Sequence, residues 1–518
     1  MHTLKKYIFP ITLVIALSAL YFAVRLYNLT SLPIFTDEAI YLRWAQTGLY
    51  DPAYRFLSLT DGKQPLFIWV MMPFIRLIDD PLVAGRIVSV LSGFVTMLGL
   101  GMVSYVLFKK LNVALLTMLL YLASPFAQVM DRMALYDSMV AMFFIWSLYL
   151  AIVFVRHVRL DIAYTLGFIL GAGILTKTSN LLSIYLLPLT LFLFDWKQKL
   201  VKKRLGKWAG FALVSIIIAQ LMYQVLRLSP LPNVISQKNN SFYHPFSEWI
   251  QQPFAYVVSN LNGMLPPLVE YLTLPYIILL VISLILIKKD FKEKIMLLLY
   301  FLLPFVGFAF IANQIFARYF FFMTLPLLLL AGWGLGYIIE VVKEKVGKAS
   351  FTRNLATLLV IVAAVAYPLY VSVSFAHNPI TGPIAQADKS QYVTAWTSGW
   401  GLSEVVDFFA SEAQKSKIYV ATEGTFGLYP QGIELYLTRN PEITIKGFYW
   451  EITPTFPQEL SDQAKITPTY FVFYQPCPGG ICPRPGDAPK GWPVTKVKEF
   501  VKNGTTTRVV IYQVNTAQ

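Results

Sequence analysis

The sequence predicts a mainly α, polytopic transmembrane protein with a small extracytoplasmic α/β domain at its C-terminal end, and three observations carry that fold class. The 518 residues are 56% hydrophobic and only 14% charged, too little polar surface to clothe a soluble globule of this size. Apolar runs long enough to cross a hydrocarbon core of about 30 Å recur over residues 1–375 and then stop. Residues 376–518 instead alternate short β-like runs with an amphipathic helical stretch.

Taken in order, eleven crossings are expected, at 7–27, 84–108, 112–130, 138–155, 162–176, 179–194, 208–228, 266–287, 295–313, 319–339 and 354–375. The first follows Lys5 and Lys6; its length and the lack of a small-residue cleavage site mark a retained helix rather than a signal peptide. Every even-numbered crossing ends on a basic cluster: Lys109/Lys110, Arg156/Arg159, Lys197 to Lys207, Lys288 to Lys294 and Lys343 to Arg353. Lys and Arg gather on the cytoplasmic side, so the N-terminus is expected there. An odd number of crossings then puts the C-terminal domain outside, in a multi-pass plasma-membrane protein. The net charge of +15 has the same origin. Residues 376–518 hold 12 Lys+Arg against 12 Asp+Glu, so the surplus lies in the membrane domain and nucleic acid is not an expected partner.

Two outward loops are long. The loop from about Asn28 to Gly85 contains Asp37 and Glu38, and its segment Pro65 to Ile78 is apolar but too short for a span, so an interfacial or re-entrant helix is expected. The loop from about Ser229 to Pro266, with Lys238, His244 and several aromatics, is expected to form a lid or a binding wall. In the C-terminal domain, strands are expected at Lys417 to Thr422, Tyr470 to Tyr474 and Arg508 to Val514, with a helix from Ser403, as N-cap, to about Gln414. The chain's two cysteines, Cys477 and Cys482 in CPGGIC, suit either a disulfide closing a small loop or two unpaired thiols.

The candidate chemistry begins at FTDEAIYLRW, residues 35–44. Thr36 or Asp37 can simply cap a helix there, where acidic residues suit the positive end. Alternatively, a carboxylate beside apolar residues at a membrane surface is partly desolvated, which strengthens it as a base. Such a base near an acceptor hydroxyl is what glycosyl transfer requires. Lys63, Arg132, Lys177 and Arg318 all fall at outward helix ends, where the charge rule disfavours them. Each alone can be snorkelling or pairing with an acid; together they suggest an anionic ligand, and Arg and Lys are the usual partners of phosphate. Asp131 and Asp137, in DRMALYDSMV, add carboxylates to that face, with salt bridging and a helix-dipole role as the structural alternatives.

In this order the segments TDEAIY, KQPLFIW, DRMALYDSMV, GILTKTSN and ARYFFFMTLPLLLLAGWG resemble the GT-C superfamily of membrane glycosyltransferases. Specifically, they resemble glycosyltransferase family 39, which includes protein O-mannosyltransferases and the bacterial transferases that put aminoarabinose on lipid A. The resemblance covers about residues 7–375. It implies an inverting enzyme that moves a sugar from a polyprenyl- or dolichyl-phosphate donor to an acceptor hydroxyl on the outer face, with a protein, a glycan or a lipid as acceptor. It further implies Asp37 as catalytic base, Glu38 as a residue orienting substrate, and Tyr41 and Asp137 as substrate contacts. Lys63, Arg318 and Lys177 match basic residues of the family and, with Arg132 grouped with them by its outward placement, are the expected ligands of the donor phosphate. Gln64 stands where the family has the first of two prolines, and Thr178-Ser179 where Gly-Pro often follows the lysine.

No cofactor is expected. The four histidines are scattered, and Asp37 and Glu38 are adjacent rather than spaced as in a DxD metal motif. Adjacent helical positions also diverge by about 100°, so the two acids are expected to meet different partners. The competing function is a lipid or glycolipid transporter or flippase, which places its charges near the bilayer midplane rather than at one face.

Overall fold

The computed structural model describes residues 2–346, 350–449, 455–475, 486–501 and 508–515. Among these, seven helices are long and apolar enough to cross a membrane: Pro81–Phe108, Tyr136–His157, Val201–Leu228, Val257–Ile285, Phe291–Ile311, Phe322–Lys345 and Ser350–His377. Shorter apolar helical segments, Pro10–Leu26, Leu111–Ala123, Leu160–Thr176 and Thr178–Leu193, lie at the other four expected crossings. The chain is thus a polytopic helical membrane protein with a five-stranded sheet at its C-terminal end.

The helices that position the site come first in the chain: α1 (His2–Leu26), α2 (Thr36–Tyr50), α3 (Leu66–Leu77), α4 (Pro81–Phe108), α5 (Leu111–Ala123), α6 (Pro125–Met130), α7 (Tyr136–His157) and α8 (Leu160–Thr176). The short helix α3 occupies the apolar segment expected to be interfacial. The third expected crossing is interrupted, because Pro125 keeps Ser124 in an extended conformation and starts α6 anew with Ser124 as its cap. The sixth, expected as one helix over 179–194, is instead a turn of α-helix, Leu181–Tyr185, between the 3-10 segments Thr178–Asn180 and Leu187–Leu193. Pro188 lies inside that run and has no N–H to continue an α ladder.

Packing between helices is close where glycine allows it. A Cβ on Gly93 of α4 would fall 2.2 Å from Asp131 Cγ, so only glycine admits the Asp131 carboxylate against that helix. Asp131 is fully buried and accepts from Arg25 Nε at 3.2 Å, Tyr21 at 3.0 Å, Tyr121 at 3.0 Å and Ser138 at 3.0 Å. The structural role left open for it is the one the fold uses: four elements, α1, α5, α7 and the α6–α7 turn, meet at one carboxylate.

At the C-terminal end, β1 (Ile418–Glu423), β2 (Ile443–Phe448), β3 (Thr469–Phe473), β4 (Val494–Val501) and β5 (Arg508–Val514) form one sheet in the order β2-β1-β3-β5-β4. β1 runs parallel to both β2 and β3, and the β3–β5 and β5–β4 pairs are antiparallel. The three expected strands coincide with β1, β3 and β5. The other two, β2 and β4, are more exposed and carry Lys446, Lys496 and Lys498, so their apolar pattern is weak; charge also suits their place at the sheet edges. The amphipathic helix spans Leu402–Ala413, but Gly401, at φ 91°, precedes it rather than Ser403. Ser403 Oγ contacts the Glu404 carboxylate instead of capping. Cys477 and Cys482 lie outside the described residues.

Candidate active site

Helix α2 starts at Thr36, and the residue before it, Phe35, has no side-chain oxygen with which to cap. Neither Thr36 nor Asp37 takes that role. Glu38, three positions on, reaches back and accepts from Phe35 N at 2.9 Å, which is half of a capping box. Its carboxylate also accepts from Arg86 Nε at 2.9 Å, from an Arg86 terminal nitrogen at 2.7 Å and from Ala134 N at 2.7 Å. Glu38 and Arg86 are fully buried. The expectation that Glu38 orients substrate is therefore corrected: all its lone-pair directions are taken by the protein, and it locks the α2 start against α4 and the turn before α7.

Asp37, about 100° further round the helix, faces another partner. Its carboxylate pairs with an Arg318 terminal nitrogen at 2.8 Å. Arg318 lies on a 3-10 turn, Ala317–Phe320, just before the helix Leu325–Lys345, and its guanidinium sits among the rings of Phe35, Phe316 and Tyr319 at 5.4–5.5 Å. Thus two motifs about 280 positions apart, TDE and ARY, meet in one ion pair.

Arg318 lines a cavity of about 570 Å³ together with Tyr41, Lys63, Asp137, Lys177 and Tyr319. Five of the expected site residues therefore share one space. Lys177 donates to Asp137 at 2.8 Å and lies 4.7 Å from the Tyr319 ring. Lys63 stands 5.1 Å from the Phe242 ring, and among the described residues it makes no ion pair. Burial pulls the Lys63 ammonium below the usual lysine range, while Asp37 and Asp61 pull it the other way. A half-buried cation with no ion-pair partner is costly to keep charged, and an anion entering the cavity would relieve that cost. The remaining wall is largely apolar, with Leu181, Leu182, Leu303 and Phe308 among its lining.

The loop expected as a lid supplies one side. Lys238 donates to Asp61 at 2.6 Å, and Asn239, Phe242, Tyr243 and Trp249 line the cavity beside it. Gln64 donates to Thr178 at 2.5 Å and its backbone carbonyl accepts from Tyr136, so the two places where the chain departs from the motif pattern touch each other. Arg132, expected among the phosphate ligands, is elsewhere. It is buried and donates to the carbonyls of Arg25, Tyr27 and Asn28 at 2.6–2.8 Å, closing the C-terminal end of α1, whose last carbonyls have no helical partner. That capping corrects the phosphate assignment of Arg132.

Some of the constellation escaped sequence reasoning. Arg86 is a lone arginine inside an apolar crossing, and a charge in that place is itself a signal. Asp388 gave no such signal. It is buried, accepts from the Tyr271 hydroxyl at 2.5 Å and lies in the electrostatic field of Arg318. Burial pushes its carboxyl up to about 7, against the opposing pull of Tyr271 and Arg318. Between the ordinary carboxylate range and about 7, the folded chain holds a proton there that the unfolded chain releases, so stability falls as pH rises across that window and levels off above it. The melting temperature in detergent is expected to fall between about pH 4 and about pH 7 for the native chain. In Asp388→Asn that slope should flatten; an unchanged slope would exclude Asp388 as its source. Among the described residues, no three His, Cys, Asp or Glu side chains come together that could hold a metal ion.

Comparison with known proteins agrees with this architecture. Residues 62–223 match the family model described as dolichyl-phosphate-mannose-protein mannosyltransferase. No curated protein matches the chain in sequence. Among solved structures, ArnT from Cupriavidus metallidurans in the apo state superposes with a TM-score of 0.60 at 17% identity, covering 96% of this chain and 97% of that one. The same protein bound to undecaprenyl phosphate gives 0.54 at 16% identity with the same coverage. AglB, the archaeal oligosaccharyltransferase from Archaeoglobus fulgidus, in complex with an inhibitory peptide and a dolichol-phosphate, gives 0.51 at 11% identity over 85% of this chain and 65% of that one. With a bundle of apolar helices and a C-terminal sheet, the chain has the fold of the GT-C membrane glycosyltransferases.

Proposed function

We propose that the protein transfers a sugar from a polyprenyl- or dolichyl-phosphate donor to an acceptor hydroxyl, with inversion, at the outer face of the membrane. The observation that carries this is the cavity in which Lys63, Lys177 and Arg318 gather beside Asp37, under a largely apolar wall. Such a space suits a phosphate head and the first units of a hydrocarbon tail, and the ArnT and AglB structures were solved with polyprenyl or dolichol phosphates.

In this mechanism Asp37 accepts the proton of the acceptor hydroxyl as its oxygen attacks the anomeric carbon of the sugar. The bond from that carbon to the phosphate oxygen breaks, and the lipid phosphate leaves with the electron pair. Lys63, Lys177 and Arg318 neutralise the charge that accumulates on it, which is where electrostatic stabilisation lowers the barrier most. Attack opposite the leaving group inverts the centre in one step. Asp137 holds Lys177 in place, and Tyr41 shapes the wall beside the sugar. The basic clusters at the other helix ends favour a cytoplasmic N-terminus and an outward site.

The test is a panel of polyprenyl-phosphate sugars incubated with the purified protein in nanodiscs, reading lipid phosphate released and mass transferred to acceptor. Release that requires an acceptor supports the proposal; no transfer from any donor overturns it. Lys63→Met, which keeps the stem and removes the charge, is expected to weaken undecaprenyl phosphate binding about ten-fold or more, since charged hydrogen bonds contribute about 1.5–3 kcal/mol. Unchanged binding would remove Lys63 from the phosphate site.

A further inference from the structure

Residues 386–399 connect the last membrane helix, Ser350–His377, to the C-terminal sheet, and they run across the start of α2. The Thr397 carbonyl accepts both from Thr36 N at 3.0 Å and from Thr36 Oγ1 at 2.9 Å. Phe35 and Ser398 form an antiparallel bridge, and the Tyr392 ring meets Phe35 edge-on at 5.0 Å. A Cβ on Gly399 would lie 2.3 Å from the Ile34 carbonyl oxygen, so the approach of the two strands requires glycine there. At its near end the segment is tied to the helix Val257–Ile285, where Gln386 N donates to Glu270 at 2.8 Å and Asp388 accepts from Tyr271.

These contacts bear on both members of the Asp37–Arg318 pair. The first N–H groups of a helix have no partner within it, and Phe35 offers no capping oxygen. Thr397 takes the Thr36 N–H from outside, one residue before Asp37. Phe35, in turn, meets both the Tyr392 ring and the Arg318 guanidinium, which lies 5.5 Å from its ring. Further along α2, the C-terminal domain holds the same helix again: Arg43 pairs with Glu434 at 3.0 Å, and Gln46 donates to the Leu435 carbonyl at 3.0 Å.

We propose that residues 386–399 are a positioning element of the active site, a strap that caps α2 in trans and fixes where Asp37 meets Arg318, so that the C-terminal domain takes part in transfer. The inference rests on the transferase function proposed above. The lysines proposed to bind the phosphate, Lys63 and Lys177, meet Phe242 and the pair Asp137 and Tyr319, and none of these partners belongs to the strap. Loosening the strap should therefore slow the chemical step more than it weakens capture of the lipid phosphate, which Lys63 and Lys177 still hold.

The experiment measures kcat with saturating donor, and separately the Kd of undecaprenyl phosphate, on the full chain in nanodiscs. Gly399→Ala is expected to lower kcat about ten-fold or more. Thr36→Val, which removes one hydrogen bond and keeps the volume, should lower it about three- to ten-fold, the loss of one neutral hydrogen bond; Thr36→Ser, which keeps the hydroxyl, should retain most of the rate. The Kd should change less than kcat in all three, since Arg318 alone of the three phosphate cations is reached by the strap. If Gly399→Ala does not fold, the Val and Ser variants at position 36 decide the matter. Native turnover with unaltered kcat in Thr36→Val, or equal losses in Val and Ser, overturns the strap alone. Absence of turnover by the native chain overturns the transferase function, and the strap's role with it.

Discussion

Asp37→Asn is expected to lower kcat by about 10²–10⁴-fold, the range associated with a positioned general base, while the protein remains folded. The amide keeps the shape and can still accept a hydrogen bond from Arg318, but it cannot take the acceptor's proton. Donor capture should not suffer. Arg318, relieved of its carboxylate partner at 2.8 Å, becomes more available to an incoming phosphate, so the Kd of undecaprenyl phosphate should stay level or fall. A drop in kcat with an unchanged or lower donor KM is the signature of an interaction made only at the transition state, or of relieved ground-state pairing. A rival role exists for Asp37, as a mere counter-ion for a buried arginine. Denaturant unfolding separates the two: a mere counter-ion role predicts that Asp37→Asn loses stability which Arg318→Gln added to it restores, whereas a base role predicts that kcat falls with stability little changed. Native-like turnover in Asp37→Asn would end the base assignment outright.

The parts of this site that a sequence can announce are those where a residue type contradicts its surroundings. Lys63, Lys177 and Arg318 sit where the orientation rule disfavours basic side chains, and the structure brings all three to one cavity. Arg132 obeys the same sequence logic and yet closes the end of α1, because a backbone carbonyl cluster attracts a guanidinium as well as a phosphate does. Sequence position does not separate those two acceptors. The spans are legible through apolar length, except where a single proline changes the ladder, as Pro188 does in the sixth. Contacts made by backbone atoms leave no side-chain trace at all. The Thr397 carbonyl can belong to any residue, so its contact with Thr36 is invisible until the fold is seen; the aromatic run at 392–401 and Gly399 mark the segment but not its partner. Glu38 and Arg86 show a third case, where each residue is conspicuous alone but the pairing spans 48 positions.

That buried pair carries the largest expected effect on stability. Arg86 uses all five of its N–H donors: Nε and one terminal N–H to Glu38, two to the carbonyls of Leu29 and Leu32, and one to that of Pro33. Glu38→Gln or Arg86→Met leaves the other charge buried without compensation, and each is expected to cost about 3–5 kcal/mol of stability. The double variant Glu38→Leu with Arg86→Met should cost much less than the sum, since two charges leave together and similar volume remains. Denaturant unfolding in detergent measures all three, and a double-variant loss equal to the sum would refute the coupling. Turnover should separate from stability here. The loop carbonyls at 29, 32 and 33 lead directly into Thr36 and Asp37, and methionine offers them no donor, so their hold on the α2 start is lost even when the charge problem is gone. The double variant is therefore expected to be folded but slow. If it were both stable and fully active, the pair would serve stability alone, and the placement of Asp37 would rest on Arg318 and the Thr397 contact.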